Sequence, residues 1–276
     1  MNIPWRLKSA AFSVIDVVGD GPLYFAQKYI TRRAAPRGGV ISPNWLFHQK
    51  AIREHGSKRV LEFGAGKDLV QNLFLAQDGI EQTVVDLFDM LDLSLVNGAI
   101  ANLDLMGVPT KGAVHSRADL KTLYRIDYIA PLDMANTPFA DGAFDACIST
   151  NTLEHIPRQV IAAIWQECKR VICAGGFVSA KIDYSDHYAH TDRALGPLNY
   201  LRFTEAEWQR FNYKNHYQNR MRHQHHLDLL IGAGFEIVSE LATEYAEPPA
   251  VVVPEAVTGN DTDYAQTGFL VARRPQ

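Results

Sequence analysis

The chain has 276 residues, 47% of them hydrophobic and 21% charged. That supplies one sizeable core and excludes two ordinary catalytic domains. The net charge of −4 argues against general attraction to nucleic acid, so no nucleic-acid partner is predicted.

Residues 1–40 are predicted to form an N-terminal helical extension, with helices around 5–18 and 22–32, closed by Pro36 and Gly38-Gly39. Arg6 and Lys8 precede an apolar run as in a secretory leader. Asp16 and Asp20 interrupt that run, no clean cleavage site follows, and no window approaches membrane-spanning length, so a cytoplasmic protein is expected. Ser42, with Pro43 after it, reads as the cap of a helix running to about His55. A strand at 58–63, a helix from Asp68 to about Gln77, a strand at 82–87 and a helix over 92–105 follow. Residues 106–124 are polar and mixed and receive no assignment. Strands are predicted at 126–130 and 144–150. Apolar positions 161, 164, 168, 171 and 172 mark a helical face over 158–172, which Gly175-Gly176 is expected to end before a strand at 177–182. Residues 183–217 break the alternation. A helix at 218–232 and strands near 235–241 and 267–273 close the chain. The loop 243–266 is long enough to be functional or mobile. Alternating strands and helices imply a parallel sheet covered on both faces. Cys147, Cys168 and Cys173 fall in predicted core elements and read as buried hydrophobes of a reducing compartment, not as a disulfide or zinc framework.

The most informative stretch is Glu62-Phe63-Gly64-Ala65-Gly66-Lys67-Asp68, followed by Thr83-Val84-Val85-Asp86. A strand, a glycine turn and a second strand ending in an acid form a nucleoside-binding half of an α/β sheet. Asp86 lies 20 positions after Gly66, where a carboxylate can take both hydroxyls of a ribose. A dinucleotide fingerprint needs glycine at position 69, and the residue is Leu69. Glu62 is a poor neighbour for pyrophosphate but suits a ligand carrying an amino group. S-adenosylmethionine has a ribose, an ammonium and a sulfonium, and no phosphate.

At these residues the chain resembles the class I S-adenosylmethionine-dependent methyltransferases, departing only at Asp68, where that family usually has its last glycine. Further landmarks at the family's spacing are Leu132-Asp133-Met134, the run to Asp145, Asn151-Thr152-Leu153-Glu154-His155-Ile156, and Val171 to Val178. The resemblance implies an α/β, Rossmann-like, doubly wound, mostly parallel seven-stranded sheet over 41–276, with a cap insertion at 183–217 after strand five. It implies S-adenosyl-L-methionine as cofactor. Glu62 and the Gly64-Ala65-Gly66 backbone would face its methionine part, Asp86 the ribose, and Asp133 and Met134 the adenine, with Phe63, Leu87 and Asn151 also expected to bind the cofactor.

The insertion holds Tyr184, Tyr188, Tyr200, Phe203, Trp208, Phe211, Tyr213 and Tyr217, which either face the sulfonium or pack the cap onto the body. Methylating a hydroxyl needs a base or a metal, and Asp183, His187 and His190 offer one, His187 foremost. The spacing of these residues matches no diagnostic metal pattern, so no metal is predicted. Between Arg210 and Arg222 stand four bases, with Lys214 and Arg220, and no acid. They read as a solvated basic face or as a site for an anionic acceptor. The insertion, with Asn199-Tyr200-Leu201-Arg202-Phe203, looks like that of methyltransferases of bacterial surface-glycan synthesis. The predicted function is methyl transfer to a small molecule, a sugar or glycan hydroxyl. The alternatives are N- or C-methylation, or a non-catalytic cofactor-binding protein.

Overall fold

The computed structural model describes residues 3–18, 40–213 and 216–276. The helix expected at 22–32 and Lys214 lie outside them. The sheet contains β1 (Arg59–Phe63), β2 (Glu81–Val85), β3 (Ile126–Ile129), β4 (Phe144–Thr150), β5 (Ile172–Asp183), β6 (Glu236–Tyr245) and β7 (Ala265–Arg273). Their spatial order is β3-β2-β1-β4-β5-β7-β6. The first five pair in parallel, and β7 joins β5 and β6 antiparallel. The strand order reverses between β1 and β4, so their carboxyl ends open a crevice where ligands bind in such sheets.

Two apolar clusters cover the two faces of the sheet. On one side α2 (Pro43–Glu54), α3 (Val70–Leu75), α4 (Leu93–Leu105) and α5 (Arg117–Tyr124) contribute Ile52, Leu73, Val96 and Leu120. On the other, α6 (Arg158–Val171) contributes Ile161, Ile164, Trp165 and Cys168. Ser42 caps α2 as expected, its Oγ accepting from Asn44 N. Helix α5 fills part of the unassigned 106–124 stretch. It starts at Ser116, whose Oγ accepts from Asp119 N.

Two boundaries differ from expectation. Helix α6 ends at Val171, and β5 begins at once at Ile172, so Gly175-Gly176 do not terminate the helix. They lie in an irregular stretch of β5, where pairing to β4 jumps from Phe144↔Ile172 to Ala146↔Phe177. A Cβ on Gly176 would stand 2.5 Å from Asp145 O, so the close approach of the two backbones requires glycine. The last helix, counted below as α8 (His223–Gly232), starts five residues later than predicted, because 218–222 bond elsewhere: Gln218 O accepts from Trp208 Nε1 and Asn219 N donates to Glu154 O.

The cap has its own core of Tyr188, Leu198, Tyr200, Leu201, Trp208 and Ala256, which includes the short α7 (Glu205–Trp208). The loop after β6 is part of it, since Val253 N donates to Leu201 O. Helix α1 (Trp5–Val18) seats on this cap: the Trp5 ring lies 5.7 Å from Tyr188 and 4.9 Å from Phe211. Lys8 Nζ donates to His187 O at 2.6 Å, and Phe12 stacks on His216 at 4.3 Å.

Candidate active site

A cleft of about 700 Å³ opens at the carboxyl ends of β1, β2 and β4. Phe63, Gly64, Gly66, Asp86, Leu87, Asp133, Met134 and Asn151 all line it, eight of the ten residues expected to hold a cofactor. Gly64 and Gly66 both have positive φ, at 75° and 80°. At Gly64 a Cβ would meet the Thr152 side chain at 2.3 Å, whereas at Gly66 nothing lies within 4 Å. One glycine makes room for a neighbour; the other presents bare backbone to open space.

Asp86 is 4% exposed, and its Oδ2 has no hydrogen-bond partner. Burial pushes its carboxyl up to about 6, and the nearby Tyr128 hydroxyl and Gly66 and Gly64 amides oppose the shift. A desolvated carboxylate with a vacant acceptor suits ribose hydroxyls. Asp133 is exposed, and its Oδ1 closes a local turn by accepting from Ala135 N at 2.9 Å. Met134 is both core and cleft wall. Asn151 takes a left-handed backbone, φ 52°, and its Oδ1 accepts from Lys181 Nζ at 2.7 Å.

Glu62 and Ala65 do not line the cleft. Glu62 is 2% exposed and serves the scaffold: its Oε1 accepts from Gln71 at 2.8 Å and its Oε2 from Asn72 at 2.6 Å. Gln71 Oε1 in turn accepts from Thr150 Oγ1, which contacts His48 Nε2, whose Nδ1 meets Ser179 Oγ at 2.8 Å. This buried network ties α2 and α3 to β1, β4 and β5 beneath the glycine turn. Burial raises Glu62 to about 8, and the Asn72 and Gln71 donors oppose the shift. With both oxygens accepting hydrogen bonds, the geometry suits the ionised form. Burial alone takes His48 down to about 3.

The three predicted catalytic residues do gather. His187 Nε2 stands 3.7 Å from Asp183 Oδ2, and His190 Nε2 stands 3.9 Å from it. Both distances exceed a hydrogen bond, so the attraction is electrostatic. Ser185 Oγ donates to Asp183 Oδ1 at 2.6 Å and lies 2.8 Å from His190 Nε2. Burial raises the Asp183 carboxyl, but the His187 ring and the Ser185 donors outweigh it and hold the group well below the usual carboxylate range. His187 is pushed down, chiefly by burial, and its Nε2 has no hydrogen-bond partner. The cluster reaches the cleft through His155, a cleft-lining residue whose ring lies 4.9 Å from that of His187.

Two open readings of the cap are narrowed. None of the eight aromatics lines the cleft; Tyr188, Tyr200, Phe203, Trp208 and Phe211 pack against one another and against Trp5, and Tyr184 joins the core of the body. Two members of the basic run are not on a solvated face, because Arg222 is fully buried and Arg220 nearly so, while Arg210 is exposed. Arg222 Nη1 donates to Tyr184 O at 2.9 Å and to the Tyr200 hydroxyl, and its Nη2 donates to Ala265 O. Arg220 donates to Phe203 O and pairs with Glu205 at 2.7 Å.

Sequence reasoning missed Tyr128, Thr152 and Phe88 as parts of this site, and it read His155, near the expected cofactor, as a structural histidine rather than a base. Tyr128 was visible only as an aromatic in a strand, while Thr152 sat inside a recognised landmark without a role.

Residues 61–180 match the family model described as a methyltransferase domain. No curated protein matches the sequence. An S-adenosylmethionine-dependent methyltransferase structure from Listeria monocytogenes, 14% identical, aligns over 84% of this chain and 98% of its own with TM-score 0.52. A methyltransferase structure from Bacillus halodurans, 16% identical, aligns over 86% and 100% with TM-score 0.50. The 4+2 cyclase SpnF, 15% identical, aligns over 92% and 95% with TM-score 0.52. At such identities the likeness is one of fold. The matched segment, less than half of the chain, runs from β1 into β5 and carries the glycine turn and Asp86. The enzyme's cofactor is S-adenosylmethionine, and the vacant Asp86 acceptor and bare Gly66 backbone fit that group.

Proposed function

We propose that this methyltransferase acts on a hydroxyl of a small polar molecule, a sugar or glycan precursor. The observation that carries this reading is the buried, unpartnered Nε2 of His187, beside Asp183 and next to the cleft. Bound S-adenosylmethionine supplies an electrophilic methyl carbon: the acceptor oxygen bonds to it, the carbon–sulfur pair stays on sulfur, and the hydroxyl proton must leave.

The Asp183–His187–His190 cluster receives that proton. Buried His187 is held neutral and so has a lone pair to offer, while Asp183 stays ionised and stabilises the protonated cluster. Asp86 takes the ribose hydroxyls through Oδ2. The Gly64–Gly66 backbone lies along the methionine portion. Leu87, Asp133 and Met134 flank the adenine, and Asn151, steadied by Lys181, completes the rim.

Support for a polyol acceptor comes from a second hollow of about 430 Å³ that shares Pro157 with the cleft. Gln159, Asn212, Asn219 and Glu205 line it together with Trp208 and Tyr217, amides and rings of the kind that hold sugars. Turnover of labelled cofactor against a panel of sugar nucleotides and cell-envelope extracts tests the reading. Methylated sugar hydroxyls are expected; turnover on amines alone contradicts it.

A further inference from the structure

Where the cap meets the cleft, His187 also belongs to a second set of donors. Glu154, His155 and His187 each place one ligand atom within 4.8 Å of the others. Glu154 is 2% exposed, and its Oε2 is sealed from solvent without a hydrogen-bond partner. The nearby ammonium of Lys181 is engaged by Asn151 Oδ1 at 2.7 Å. His187 Nε2 is likewise buried and unpartnered.

His155 has the opposite arrangement, and it is the telling one. Its Nδ1 lies 2.9 Å from Tyr217 O, a carbonyl that can only accept, so Nδ1 carries the proton and Nε2 keeps its lone pair. A backbone carbonyl fixing one ring nitrogen so that the other can coordinate is the usual support of a metal-bound histidine. Two buried groups with no partner and one imidazole held in the ligating tautomer therefore converge. His155 also lines the cleft, which leaves the open side of the set facing the cofactor and acceptor.

We infer that Glu154, His155 and His187 form a binding site for a divalent first-row transition ion at the cleft rim. Two imidazoles and one carboxylate suit manganese, iron, cobalt, nickel or zinc better than magnesium or calcium, which prefer all-oxygen cages. Bonds of about 2.1 Å to such an ion place its donors roughly 3–4 Å apart, so the set closes by small side-chain adjustments. Asp183 and His190 form a second group with His187, but Ser185 already occupies Asp183 Oδ1 and contacts His190 Nε2. They remain beside the ion as proton acceptors. For the reaction, and resting on the hydroxyl-methylation reading above, an ion here binds the acceptor oxygen and eases loss of its proton to the Asp183–His190 pair.

The test is metal binding, measured without cofactor or acceptor, so that its failure leaves the methyl-transfer reading standing. Calorimetric titration of the chelator-stripped full chain with Mn²⁺ and Zn²⁺ is expected to give one ion per chain. The Co²⁺ complex is expected to show visible d–d bands without thiolate charge transfer. Glu154→Gln and His155→Ala are each expected to weaken binding at least tenfold, the scale on which even supporting residues of metal sites act. His155 is exposed and Glu154→Gln keeps the side-chain volume, so both variants should fold; an unchanged thermal melting transition verifies this. No saturable binding of either ion up to about 1 mM, a weak-site limit, overturns the inference. Wild-type metal affinity in folded Glu154→Gln also overturns it, as does loss of binding only in Asp183→Asn and His190→Gln.

Discussion

The strand-end cleft and the cap above it use similar polar and aromatic residues to opposite ends. In the cleft, Asp86 is buried yet keeps one oxygen without a partner, and Gly66 holds its backbone against open space. In the cap, Arg222 is more deeply buried than Asp86, and its Nη donors are taken by two carbonyls and a hydroxyl, leaving only Nε without a partner. The cap aromatics likewise fill one another's gaps rather than the cleft. Burial of a polar group is common to both regions; in the cleft the vacant acceptor borders open space, whereas in the cap the buried donors are enclosed by backbone carbonyls. The junction between them, at Glu154 and His187, has the unsatisfied character of the cleft.

That contrast can be broken most sharply at His187. Removing a positioned proton acceptor costs about 10²–10⁴ in rate, so His187→Ala should lower turnover by that range while S-adenosylmethionine affinity stays near wild type. Equal losses in both would make His187 a strut like Arg222.

Glu62 tests the other half. Glu62→Ala strips Gln71 and Asn72 of a buried acceptor, at about 1–3 kcal/mol for each group left unsatisfied. Thermal unfolding should therefore reveal a clear loss of stability, and cofactor binding should weaken only as the fold does. A variant that melts like wild type but no longer binds cofactor would return Glu62 to the cleft.

Asp86→Asn should do the reverse. Burial raises the folded pKa from 3.8 to about 6. The stability that group contributes is present below about pH 4 and lost as pH rises through 6. Removing the charge should leave the melting temperature at pH 7 equal or higher. Cofactor affinity should fall about tenfold or more, the scale of a charge-assisted hydrogen bond at roughly 1.5–3 kcal/mol. A lower melting temperature with intact affinity would place Asp86 among the struts.

The smallest effect is one of pH. Because Asp86 must be ionised to accept fully from ribose, wild-type affinity should hold above about pH 6 and drop by no more than about tenfold per unit below it. Calorimetry between pH 5 and 7.5 measures this, and a flat profile that persists in Asp86→Asn would detach affinity from that carboxylate.

The cleft was largely legible because its parts are local. A glycine turn, a strand ending in Asp86 and the Asp133-Met134 loop each announce themselves within a few residues, and β4 runs over the 144–150 predicted for it. Glu62 was misplaced because β1 is buried on both faces, so alternation gives no cue to which side of the strand meets a ligand. Its true partners sit nine and ten positions away on α3. Helix α5 did carry a signal, Ser116 followed three residues later by Asp119, but only Leu120 and Tyr124 in it are buried, too few to set a helical period. The cap was opaque for a different reason. Arg222 reads as a surface base until the carbonyls of Tyr184 and Ala265, from two distant segments, are brought around it.

The central claim is that the carboxyl ends of β1 and β2 hold S-adenosylmethionine through Asp86 and the Gly64–Gly66 backbone. Isothermal titration of the full chain with S-adenosylmethionine, its demethylated product and a nicotinamide dinucleotide tests it directly. The account predicts one site for each of the first two ligands, lost together in Asp86→Ala, and no binding of the dinucleotide. Binding of the dinucleotide alone, or undiminished S-adenosylmethionine affinity in folded Asp86→Ala, would contradict it.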